Sequence, residues 1–434
     1  MLQSASRTDD RICAYVKMVF MPDDNNMSPD NSKRKPIPIY DIRARALERS
    51  KQIALQVNRS FQPGQANDPT GPTLPKPKKK MMPAFWYRLS RKGRILVSLA
   101  VVLILAAASL AVYTNFISKE KGAAGTAAAV KKEAPTTMAS PLTGVQVAPE
   151  LANRPVTAVM IENSLDARPQ SGLADAGIVF EAIAEGGITR FLALFQETTP
   201  QYVGPVRSIR PYYLDFGAPF GAGFAHVGGS PEALAQVRNT LRDLDQFLNP
   251  GSYWRVSSRV SPHNVYTSFA KLDTLNTAKG YGATNFTSLP RKSGKPAATV
   301  TARTIDLLIS SGAFYVHYDY DATTNTYMRN EGGAPHYSTS AENESPGVQL
   351  RPKVVIALTM PFGIVDEDGH GGYGTVGKDE AFIFQNGEFI KGYWVKDSQH
   401  SQFKFVDATG ATIYLEPGQT WITIVQADQV RVGL

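Results

Sequence analysis

Between positions 168 and 264 the sequence sets out residues that can handle charge. Arg168, Arg190, Arg207 and Arg210 stand near Gly186, Gly187, Gly204, Gly228 and Gly229. Guanidinium forks take carboxylate or phosphate groups through paired hydrogen bonds, so this pattern points to an anion site. The run His226-Val227-Gly228-Gly229-Ser230 reads as the end of a strand and the opening of a helix. Backbone amides, the helix N-terminus and Ser230 can hold an anion there. His263 and Asn264, after Pro262, complete the ligand-binding candidates. His226 is the candidate base, and Asp175 and Glu181 are the other catalytic candidates. Each residue also has a structural reading. Glu181 and Arg190 can pair across a hairpin, Arg207 and Arg210 can tie domains together, His226 can be a core histidine and Asp175 a turn cap. No HExxH, paired-histidine, Gly-x-Ser-x-Gly or phosphate-loop pattern occurs, which removes the zincin and serine-hydrolase classes. Cys13 is the single cysteine, so an internal disulfide and a cysteine-built zinc site are excluded. No metal-binding residue is assigned.

The elements that must position these residues follow from the pattern. Strands are expected at PVTAVMIEN, at 177–185 and at 188–197, with Gly186-Gly187 as a hairpin turn. A short strand at 224–227 leads into a helix with Ser230 as N-cap and Pro231 in the first turn. A second helix is expected at 267–280, ended by Gly280. Mixed strands and helices make residues 145–290 an α/β (α+β) domain. Residues 291–303 read as a linker. From 304 to 434 short strands dominate, with Asn386-Gly387 as a hairpin signal, so a smaller β-rich domain closes the chain.

Charge is uneven along the chain. The net charge is +8, but residues 1–94 alone carry 19 Lys/Arg against 8 Asp/Glu, and the remainder is slightly acidic. Residues 95–118 contain no charged side chain and would span about 36 Å as a helix, against a hydrocarbon core of about 30 Å. Basic residues cluster before this run, which places the N-terminus in the cytoplasm and the folded part outside. The expectation is a single-pass membrane protein. A disordered basic cytoplasmic tail (1–94) would meet anionic lipid headgroups, and a flexible stalk (119–144) would carry the outer domains. No zinc finger or helix-turn-helix accompanies the basic tail, so nucleic acid is not expected as a partner.

A resemblance emerges from the longer runs. ARPQSGLADAGIVFEAIAEGGITRFLALFQ, GPVRSIRPYYLDF, HVGGSPEA and SPHNVYTS are similar to the YerB-like lipoprotein family of bacteria, a domain of unknown function. FYVHYDYDATTNTYMRNEGGAPH, GYGTVGKDEAFIFQNGEFIKGYWVK and LEPGQTWITIV resemble its second part, and the likeness covers about residues 145–430. It implies a place outside the cytoplasmic membrane near the cell wall, with a cell-wall component or protein as partner. Many relatives look like lipoproteins with a lipidated cysteine, whereas this sequence offers an apolar run. A weaker resemblance is to the LytR-CpsA-Psr phosphotransferases. It would make Arg168, Arg190, Arg207 and Arg210 ligands of a lipid-linked pyrophosphate, with Mg²⁺ at Asp175 or Glu181 and His226 as base. Arg210 is followed by Pro211 where those enzymes carry an Arg-Asp pair. The expected function is an extracytoplasmic envelope protein binding an anionic ligand or cell-wall partner, with the phosphotransferase as alternative. No cofactor is expected outside that alternative.

Overall fold

The computed structural model describes residues 90, 92–93, 100, 103–104, 106–108, 110, 136–365 and 370–434. The chain divides into two units, Met1–Thr126 and Ala127–Leu434. In the first, the described positions from 92 to 110 are helical. The expected tail lies outside the described residues apart from 90 and 92–93, and so do most of 95–118 and the stalk up to 135.

The second unit is built on a ten-stranded mixed sheet. In chain order its elements begin with β1 (Thr157–Glu162), β2 (Ile178–Glu185) and β3 (Ile188–Phe195). Helix α1 (Pro211–Gly217), β4 (Gly223–His226), α2 (Pro231–Thr240), β5 (Arg242–Asp245) and α3 (Phe269–Ala278) follow. Next come β6 (Thr304–Leu308), β7 (Tyr315–Asp321), β8 (Thr326–Glu331) and β9 (Ala334–Pro335). The last elements are β10 (Val354–Thr359), β11 (Gly377–Gln385), β12 (Glu388–Lys396), β13 (Lys404–Val406), β14 (Thr420–Val425) and β15 (Val430–Gly433).

The strand order in the large sheet is β13-β12-β11-β10-β14-β2-β3-β1-β4-β5. Strand β14 lies parallel to β10 on one side and parallel to β2 on the other. Strands β10, β14, β2, β1, β4 and β5 all run the same way, while β3 runs against β2 and β1. TAVMIE, VVIALT and TWITIV are buried along their whole length, as strands covered on both faces must be. One face packs Phe180, Ile356 and Ile422 with α1 and α2 side chains such as Phe216 and Val237. The opposite face packs Val179, Phe191 and Trp421 with Phe269 and Leu272 of α3. Further along that face, Val355 and Phe384 meet a five-stranded sheet of order β9-β8-β7-β6-β15. Each large apolar side chain sealed this way contributes about 1.5–3 kcal/mol.

One expectation is corrected, and the two sequence parts prove to share a sheet. No helix among the described residues is long and apolar enough to cross a membrane, and the unit is a mostly β, multi-sheet fold rather than a single-pass protein carrying two outer domains. Hydropathy says that a segment can enter a bilayer, not that it does. Nor are 145–290 and 304–434 separate sheets: β14 comes from the end of the chain and completes the sheet begun by β1–β5. Alternation marks strands but does not choose their neighbours, so the shared sheet could not be read from sequence order. Boundaries move for the same reason. Leu142 and Thr143, assigned to the stalk, are buried. Arg291, assigned to the linker, donates to Glu416 O at 2.7 Å, Thr420 Oγ1 at 3.0 Å and Leu142 O at 3.1 Å.

Candidate functional site

Most of the predicted polar residues gather at one edge of the sheet, where the six like-directed strands end. Arg190 at the start of antiparallel β3 is opposite Glu162 at the end of β1. The arginines, however, do not converge on one pocket. Arg190 donates to Glu185 Oε2 at 2.8 Å and to Ser208 O at 2.7 Å, and Arg210 pairs with the other oxygen of Glu185. Burial raises the Glu185 pKa, but these two guanidiniums outweigh it and hold the carboxyl below its usual range. Arg207 lies 3.2 Å from Glu162, whose second oxygen is 3.0 Å from His263 Nδ1. Ser164 Oγ, which donates to Glu162 Oε1 at 3.2 Å, closes that group.

Arg168 belongs to a third, deeper cluster. It lies 3.1 Å from Glu331, donates through Nε to Asn163 Oδ1 at 3.1 Å and covers the Phe314 ring at 5.2 Å. Behind it Arg329 has no exposed surface. Its Nη1 donates to Tyr318 OH at 2.7 Å, its Nη2 to Glu181 at 3.1 Å and its Nε to His336 Nδ1 at 2.9 Å. The guanidinium also lies 4.4 Å from the Trp421 ring centroid. Glu181, also without exposed surface, accepts from Arg329, Thr189 Oγ1, Trp421 Nε1 and Thr423 Oγ1. This catalytic candidate is therefore a sealed counterion that joins β2, β3, β8 and β14. A buried charge is tolerated only when paired and fully hydrogen-bonded, and this one is both.

The remaining candidates stand apart. His226 is fully buried on β4, with Nδ1 2.8 Å from Gly228 O and Nε2 3.0 Å from Asp243 Oδ1. Asp245 beside it takes Gly228 N at 3.0 Å and Arg238 at 2.9 Å, which fixes the β4–α2 turn. Ser230 caps α2 by accepting from Ala233 N. Asn264 accepts from Arg255 at 2.7 Å within a short hairpin. Asp175 ends a 3₁₀ turn, and burial raises its pKa. Among the described residues no group of His, Cys, Asp and Glu is arranged to hold a metal.

Open space lies over the third cluster. A cleft of two chambers sharing Pro169 and Ser345 separates the 164–171 segment from 331–346. The smaller chamber, about 420 Å³, is lined by Arg168, Glu331, His336 and Tyr337 with apolar Leu165 and Pro346. The larger, about 670 Å³, is lined by Tyr202, Arg259, His263, Glu342 and hydroxyls including Ser171 and Thr339. Arg259 donates to Asp166 O at 2.6 Å and Pro169 O at 2.8 Å, so it braces the shared wall. The sequence reading missed Arg329, Glu331, His336 and Arg259. The signal for two of them was present: Tyr327, Arg329 and Glu331 alternate along β8, and all three side chains point inward. Charges at core positions of a strand mark a built network.

This fold and its two-part sequence have counterparts. Residues 142–282 match the family described as protein of unknown function (DUF3048) N-terminal domain, and residues 305–422 match its C-terminal domain. The chain belongs to the DUF3048 family. A relative of this DUF3048 protein from Bacillus subtilis (strain 168), described as "Putative lipoprotein YerB", is 34% identical over 291 residues, which is 66% of this chain and 86% of the relative. The crystal structure of the YerB protein from Bacillus subtilis superposes with a TM-score of 0.62 at 30% identity, covering 68% of this chain and all of that one. A family member described as a lipoprotein reinforces the correction of the single-pass reading.

Proposed function

We propose that this DUF3048 protein is an extracytoplasmic envelope protein, held at the membrane, that binds an anionic cell-wall ligand in the cleft beside Arg168. The lipoprotein description of its relative supports the location. The observation that carries the binding reading is the position of Arg168. Its guanidinium lines a chamber between the two sequence halves, while Arg190, Arg207 and Arg210 are engaged on Glu185 and Glu162 outside both chambers. A preformed concavity with apolar walls and few convergent polar groups is the usual form of a ligand site. The transferase alternative gains no support from the geometry, because Asp175 and His226 do not share a site with the arginines.

The test is thermal unfolding of the purified protein with muropeptides and polyprenyl pyrophosphates. A ligand that binds the folded state raises the midpoint, by about 2.7 kcal/mol of stabilisation at a hundredfold excess over Kd. The rise should vanish in Arg168→Ala and persist in Arg207→Ala. If the panel produces no rise, the anion site is wrong and a protein partner becomes the reading to pursue.

A further inference from the structure

The proton positions around His336 follow from its partners. Arg329 Nε can only donate, so His336 Nδ1, 2.9 Å away, is the acceptor and carries no proton. The proton is on Nε2, which donates to Gln170 Oε1 at 2.9 Å. Gln170 agrees, since its amide nitrogen is already spent on Asn163 Oδ1 at 2.8 Å and Glu162 O at 3.1 Å. Glu331 Oε2 then lies 3.1 Å from a nitrogen lone pair, is buried, and receives no hydrogen bond. Two lone pairs at that distance repel. A proton on Oε2 neutralises that oxygen and lets it share the Nδ1 lone pair with Arg329 Nε, which removes the conflict.

We propose that Glu331 is the proton gate of the Arg168 chamber. With a solvent proton taken up on Oε2, Arg168 is left to a ligand's carboxylate or tetrahedral oxyanion. With that proton released, Glu331 keeps Arg168 for itself. This rests on the anion-binding reading above. Charge balance carries the argument. Glu331 is faced by Arg168 at 3.1 Å from the segment after β1, by Arg329 at 3.7 Å on its own strand and by His336 at 3.1 Å. Asn163, which is neutral, donates to it at 2.7 Å, and Glu181 on β2 faces it across Arg329. Protonated Glu331 leaves two guanidiniums against one carboxylate, and Glu181 is already occupied by Arg329. The surplus positive charge therefore sits on Arg168, at the chamber wall. In the same direction, burial pushes the Glu331 carboxyl up to about 7.

The experiment is isothermal titration of the full chain with two probes that do not titrate between pH 6 and 8: N-acetyl-alanine for a carboxylate and sulfate for a tetrahedral oxyanion. Each titration is run in buffers of different ionisation enthalpy. Binding is expected to take up protons and to weaken as pH rises, toward about tenfold per pH unit above the Glu331 midpoint. Glu331→Gln, which places a neutral amide at the same position, should bind at every pH with no proton uptake. In parallel, carboxyl carbon NMR of Glu-labelled wild type should show one glutamate titrating near neutrality, a readout that needs no variant. Binding that is independent of pH, without proton uptake, overturns the gate and leaves the site standing. An absence of binding by either probe, in both chains and at every pH, overturns the site as well. Whichever probe binds names the anion class.

Discussion

A guanidinium with no exposed surface persists only when its nitrogens meet acceptors, and each of the three nitrogens of Arg329 does. Removing it leaves Glu181 charged and unmatched among Trp421, Thr423 and Thr189. Arg329→Ala should therefore lower unfolding free energy by about 3–5 kcal/mol in denaturant titration. Glu331 gives a second, signed expectation. Its folded value of about 7 lies above its ordinary value of 4.5, so the folded state holds more protons between those limits. Its contribution is greatest below about 4.5 and is lost as pH rises through about 7. Urea midpoints should fall across that window in wild type, and Glu331→Gln should flatten the fall. At this scale the sequence was half legible. Residue types identified the arginines as charge-handling groups, and Glu185, Glu162 and Glu331 turned out to be their partners. Which carboxylate each arginine meets depends on strand neighbours that spacing does not reveal.

Elements were the most legible scale, because turns and caps are local. Gly186-Gly187 and Asn386-Gly387 were expected as hairpin turns, and all four residues have positive φ. Ser230 caps α2 as expected, and Ser268, which was not singled out, caps α3. The Ser230 contact is long, at 3.4 Å, so Ser230→Ala should cost about 0.5–1 kcal/mol in thermal or urea unfolding. Gly229 is tighter than its turn chemistry suggests. A Cβ there would lie 2.7 Å from Ile209 Cγ2 and 2.8 Å from Ile209 O, and backbone cannot step aside. Gly229→Ala should cost about 1–3 kcal/mol, more than the lost cap. Equal or smaller losses would show that the β4–α2 turn yields.

The whole molecule was the least legible scale. β14 reads as one more short β-rich segment, yet it is the strand that joins the sheet begun by β1–β5 to the sheet continued by β10–β13. Pairing between residues some 240 positions apart, such as Ile422 with Phe180, leaves no local trace. The prediction at this scale is cooperativity. The intact chain should melt in one calorimetric transition, and a fragment ending at 303 should not show native near-ultraviolet dichroism until mixed with the remainder. Two separate transitions would show that the two sequence parts unfold as independent domains despite the shared sheet.

The place of β14 also bears on how the chain is made. A ribosome releases β1 to β13 before the strand that joins them, so vectorial folding can progress only as far as two sheets with open edges. Until Thr420–Val425 emerges, β2 and β10 each present a hydrogen-bonding edge to any extended segment nearby. A chain cut by a premature stop before Thr420 would expose both.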